Sequence, residues 1–113
     1  FERISDQNEN AGGTEEHPEP FDYFLASMPL CAAFYIRQFC NTRDIDTTDI
    51  IVSQSHETDA DNKYKKTFNI VVELPSSFPQ KYTKALIASA NTCTVKKVIQ
   101  AQPDFCISVV EKG

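Results

Sequence analysis

PFDYFLASMPLCAAFYI, residues 20–36, decides how the rest of this 113-residue chain is read. Apolar residues fall at Phe21, Phe24, Leu25, Met28, Cys31, Ala32, Tyr35, Ile36 and, just beyond, Phe39. Steps of three and four lay them along one wide face of a helix. Leu30, Ala33 and Phe34 fill in its middle, so the helix is apolar nearly all round. Such a helix belongs at the centre of a fold or at a dimer interface. Pro29 sits inside it. Proline lacks the N–H that bonds back one turn, so a kink or a restarted helix is expected there, just ahead of Cys31.

On the N-terminal side, residues 1–20 are polar and acidic, with Gly12-Gly13, Pro18 and Pro20. They read as a loop or flexible lead-in. The chain opens on Phe1 rather than Met, so this stretch is also read as the remnant of a longer N-terminal region. Residues 21–113 are read as the domain. On the C-terminal side, NTRDIDTTD (41–49) ends the helix, and IIVSQSHE (50–57) reads as a strand. A charged turn follows. TFNIVVEL (67–74) then alternates Phe68, Ile70, Val72 and Leu74 as a second strand paired to the first.

PSSFPQ breaks the pattern. A second helix is expected over Gln80–Asn91, capped by Ser76 or Ser77, and a short third helix starts near Thr92–Thr94. PDFCISVVEK reads as a final strand, with Phe105, Ile107 and Val109 on one face. Helix, strand, strand, helix, helix, strand gives an α+β class with a mainly antiparallel sheet.

The net charge of -5 argues against nucleic-acid and anionic-membrane surfaces, which call for excess Lys and Arg. No apolar run approaches the roughly 18 residues needed to span a bilayer, and no signal peptide is visible. The four cysteines, Cys31, Cys40, Cys93 and Cys106, lie 9, 53 and 13 residues apart, without the dense spacing of small secreted domains. Reduced or redox-active thiols in the cytoplasm are the expectation. No close Cys pair offers a zinc site, and His17 and His56 sit in polar segments.

Cys93 would lie in the first turn of the third helix, where free backbone N–H groups and nearby Lys96 and Lys97 favour a thiolate. A buried, inert sulfur is the competing reading, at even weight. Cys31, among Leu30, Ala32 and Ala33, reads first as core, although a helix restarting after Pro29 would leave free N–H groups beside it. Cys40 at a helix end reads as structural, and Cys106 as packing or surface.

Taken in order, PFDYFLASMPLCAAFYI, two strands, and LPSSFPQKYTKALIASANTCTVKKVI resemble the OsmC-like family, the osmotically inducible and organic hydroperoxide resistance proteins. In that family a proline-led helix carries one cysteine near an Ala-rich stretch, and a second follows in A-x-x-C-P-V/Y-S. Cys31 matches the first, and Ala90-Asn91-Thr92-Cys93-Thr94-Val95 the second. The likeness covers roughly residues 12–110.

The resemblance implies an intertwined homodimer, with antiparallel sheets wrapped around two central helices. It also implies a two-cysteine cycle that reduces organic hydroperoxides without metal or organic cofactor. Cys31 would be the attacking thiol and Cys93 the resolving one, with a dithiol or lipoyl group as reductant. This chain departs from the pattern in four ways. Pro20 is followed by Phe21, with the acid one place later at Asp22, a candidate supporting residue. No arginine aligns with the family's activating one. Thr94 stands where the motif has proline, and Lys96 where it has serine. The alternative is a non-enzymatic dimeric binding module of the same fold, with an apolar pocket for a small ligand or a partner protein. A third option is a secreted domain with all four cysteines in disulfides.

Overall fold

A computed structural model describes residues 1–112; Gly113, the last residue of the domain expected over 21–113, lies outside the described residues. α1 (Pro20–Asn41) is one unbroken helix of 22 residues. Pro20 occupies its first turn, where a missing N–H costs nothing, and Asp22 Oδ2 accepts from the Glu19 N–H at 2.9 Å. Met28, Ala32, Ile36, Phe39 and Cys40 are buried, a single stripe at helical spacing. The opposite face is not buried within the chain. Leu30 is 69% exposed and Phe34 61%, which leaves the all-round apolar pattern half used.

The helix does not restart at Pro29. Proline at 29 leaves the Leu25 carbonyl without its helical donor. Gln54 Nε2, from the sheet, donates to that oxygen at 2.9 Å. An orphaned carbonyl is thus satisfied from outside the helix, which lets α1 run through.

β1 (Ile51–Thr58) and β2 (Lys66–Glu73) pair antiparallel, with Val52 opposite Val72, Gln54 opposite Ile70 and His56 opposite Phe68. Residues directly opposite share a face. That face lies across α1, where Phe24 meets the Phe68 ring edge-on at 6.1 Å. A 3-10 turn (Gln80–Tyr82) leads into α2 (Thr83–Ala90). Neither Ser76 nor Ser77 caps this stretch. Pro79 precedes the turn, and Tyr82 N–H bonds to its carbonyl at 3.0 Å. α3 (Thr94–Gln100) follows after three connecting residues, Asn91, Thr92 and Cys93. The core joins Ile36, Phe39 and Cys40 of α1 to Phe78 and Leu86, with Val52, Val72 and Tyr82 around it. Arg43 stacks 3.7 Å over the Phe39 ring and donates to the Phe39 carbonyl.

The expected final strand does not form. Residues 102–112 have no ladder partner in this chain, and Phe105, Ile107 and Val109 are 89%, 97% and 91% exposed. Among the described residues the sheet has only two strands, and the C-terminal segment reaches neither of its edges.

The lead-in is a closed loop. The Asp6 carboxylate accepts from the N–H groups of Gln7, Thr14 and Glu16 and from the Thr14 hydroxyl. Those bonds hold its pKa down at about 2. Gly13 passes so close that a Cβ there would sit 2.0 Å from the Gln7 carbonyl oxygen. Tyr23 donates to the Ile4 carbonyl, and Ser5 to that of Pro18, which tie the loop back on itself and to α1.

Candidate active site

α2 ends in tight turns. Asn91 N–H bonds to the Ile87 carbonyl and Thr92 N–H to that of Ser89. Cys93 then turns extended, at φ -48° and ψ 123°, and becomes the residue before α3 rather than part of its first turn. The first bond that closes α3 runs from Lys97 N–H to the Cys93 carbonyl at 3.1 Å. The amides of Thr94, Val95 and Lys96 therefore stand ahead of the helical ladder, free for other acceptors.

Two sulfurs receive them. Cys31 and Cys93, distant in sequence, lie within hydrogen-bonding reach of each other, and all four cysteines are free thiols. Burial alone would raise the Cys31 pKa. The Cys93 thiol and the Val95 and Thr94 N–H groups outweigh it, and the net direction is down. Cys93 moves the other way. Burial raises it first, its hydrogen bond to Cys31 raises it further, and the Lys96 and Val95 amides only partly oppose this.

The pair is therefore asymmetric. Cys31 is the half-buried sulfur that takes up the negative charge, and Cys93, 3% exposed, is the one that keeps its proton. The amides anticipated beside the second cysteine are present, but the first cysteine is their main beneficiary. They come from α3, not from a helix break at Pro29.

Tyr35 and Thr94, neither singled out in the sequence for this, link the two helices. The Tyr35 hydroxyl and Thr94 Oγ1 lie 3.2 Å apart. Tyr35 is four residues after Cys31 in α1, so it shares that face, a spacing from which it could have been found. Asp22 is elsewhere. Its carboxylate caps α1, nine residues or about 13.5 Å of helix rise before Cys31. Arg3 stacks near Phe1 in the lead-in. Cys40 is fully buried, and that burial lifts its thiol despite nearby Arg43. Cys106 lies exposed on the C-terminal segment.

A cavity of about 560 Å³ opens beside the pair. Met28 and Ala32 of α1, Ile70 and Val72 of β2, and Ile87 of α2 give it apolar walls, and Cys93 and Lys96 border it. The apolar surroundings expected around Cys31 are thus concentrated on the Cys93 side. Among the described residues no group of three or more His, Cys, Asp or Glu side chains converges as a metal site. No helix among them is long and apolar enough to cross a membrane.

The family model for OsmC-like proteins matches residues 13–108, nearly the whole chain. This chain belongs to the OsmC-like family. Solved structures share the fold. A protein of Psychrobacter arcticus, described as an osmotic stress induced and detoxification response protein, superposes with a TM-score of 0.68 at 21% identity. That match covers 82% of this chain and 68% of the other. The organic hydroperoxide resistance protein OsmC of Legionella pneumophila, also described as a predicted redox protein, gives 0.54 at 19% identity, over 84% and 71% of the two chains. Among curated proteins none matches. Family membership accounts for the mixed helix and strand architecture seen here.

Proposed function

We propose that this OsmC-like protein is a thiol-dependent peroxidase acting on organic hydroperoxides. The observation that carries the reading is the Cys31–Cys93 pair, two free thiols in contact with their pKa values driven apart. The Cys31 thiolate attacks the terminal oxygen of ROOH and the O–O bond breaks. The alkoxide leaves, takes a proton and departs as ROH, and Cys31 becomes a sulfenic acid. The Cys93 sulfur then attacks Cys31, a disulfide forms and water leaves. A dithiol or lipoyl reductant returns both thiols and is itself oxidised to a disulfide. An alkyl tail loses water contact in the apolar cavity beside Cys93, which favours organic hydroperoxides over hydrogen peroxide.

A homodimer belongs to this reading. The uncovered α1 face at Leu30 and Phe34 and the unpaired segment at Phe105–Val109 are surfaces that a second copy would cover. So does a cytoplasmic site of action, where thiols are kept reduced. Consumption of tert-butyl hydroperoxide under dithiol regeneration tests it. Cys31→Ser is expected to abolish turnover, and Cys93→Ser to accumulate a trappable sulfenic acid at Cys31. Turnover that survives Cys31→Ser would overturn the assignment.

The cavity also favours a second reading, a binding module for an apolar ligand with both cysteines as packing. In that case the Cys31→Ser/Cys93→Ser double variant would bind an apolar fluorescent probe as the parent does, and neither thiol would react with peroxide.

A further inference from the structure

The cavity beside the thiols has a rim that its apolar walls do not call for. Asn69, Asn91, Gln100 and Lys96 are the amide and charged residues that border it, and among the described residues no carboxylate does. Lys96 is half-buried, and its Nζ donates to Asn91 Oδ1 at 2.8 Å, which holds the ammonium against the end of α2. An ammonium has three donors, so two stay free for another acceptor. Gln100 lies one turn further along α3, on the same side of that helix. Nothing nearby in sequence neutralises the charge. Residues 75–103 hold Lys81, Lys84, Lys96 and Lys97 and no Asp or Glu, although the whole chain stands at -5. Lys96 also occupies the position where the family motif has serine, so this cation belongs to this chain.

We propose that Lys96 is a specificity-determining residue, through which the cavity selects a carboxylate-bearing amphiphile over a neutral one of the same length. The apolar walls take the chain, and the cation with its neighbouring amides takes the head. A carboxylate at that rim without the cation would lose water and gain no opposite charge. The proposal deepens the peroxidase reading and rests on it for one point, that the occupant carries a hydroperoxide. The cavity and the cation stand without that point, so the test uses ligands that hold no peroxide.

Octanoate and methyl octanoate are bound to the reduced full chain, below micellar concentration, and read by displacement of a neutral apolar fluorescent probe. Octanoate should bind more tightly than its ester, and the difference should shrink as salt is raised. Lys96→Gln should weaken octanoate about tenfold and leave the ester within about twofold. Lys96→Arg should keep the preference. Lys97→Gln, which alters a lysine that does not border the cavity, should follow the parent. Circular dichroism and thermal unfolding show which variants are folded. A parent that does not favour octanoate, or a folded Lys96→Gln that weakens both ligands equally or neither, overturns the proposal. Turnover of tert-butyl hydroperoxide by a parent without that preference would leave the peroxidase reading standing and sink this one. A Lys96-dependent preference in a protein that leaves peroxide untouched would uphold the selectivity and sink the peroxidase reading instead.

Discussion

Cys31 and Cys93 differ in what surrounds each sulfur, and the difference has a direction. Three donors favour charge on Cys31, whereas burial and the Cys31 neighbour disfavour it on Cys93. Alkylation of Cys31 should therefore rise at a lower pH than that of Cys93 or of Cys40, whose thiols burial raises. Equal profiles for Cys31 and Cys93 would contradict this asymmetry. The two cysteine positions were legible in the chain, Cys93 from local features and both from their family pattern. Their electrostatic order was not. Local reading gave the free amides of the third helix to Cys93, its neighbour in sequence. Those amides reach across to Cys31, and no one-dimensional signal reports such a crossing. Tyr35 was overlooked because a tyrosine on an apolar helix face reads as core.

Among the elements, α1 shows most clearly why a local rule needs its tertiary setting. Pro29 signals a break, yet the helix continues because Gln54 supplies the donor that proline removes. Gln54→Ala should cost about 1 kcal/mol in chemical denaturation, the scale for leaving a partly buried carbonyl without a partner. In a Pro29→Ala background the helix regains its own N–H, and the same substitution should cost distinctly less. A double-mutant cycle with no coupling would refute this account. The two strands and three helices were legible to within a residue or so at most ends, since alternation and 3.6-residue spacing are properties of each segment. The cap of the second helix was not. Serines before a helix are common caps, but here Pro79 and a 3-10 turn make the entry.

The N-terminal loop is an element with its own titration. The folded pKa of Asp6, about 2, lies below the ordinary 3.8. Its contribution is fully present above 3.8 and is lost as pH falls toward 2. Amide exchange at Thr14 and Glu16 should quicken over that window, and Asp6→Asn should remove most of the pH dependence. A flat response would mean that Asp6 does not organise the loop.

At the scale of the whole molecule, the radius of gyration is 18.2 Å, against about 13 Å for a compact domain of this length. The apolar segment that ends the chain is exposed along its length. That segment was read as a strand from its alternation. The alternation is present, but among the described residues the segment has no strand to pair with. In the homodimer proposed above, light scattering should give twice the chain mass at micromolar concentration. Truncation after Gln102 or Phe105→Asp/Ile107→Asp should weaken the assembly. A monomer unaffected by either change would argue against it.

If Cys31 and Cys93 act as one redox unit, a single turnover joins them in a disulfide. One measurement meets it directly. The reduced full chain receives a single equivalent of organic hydroperoxide, is quenched, and has its disulfides mapped by peptide mass spectrometry. The expected product is a Cys31–Cys93 disulfide, formed rapidly, with Cys40 and Cys106 still reduced. Four untouched thiols, or a bond that excludes Cys31, would contradict it.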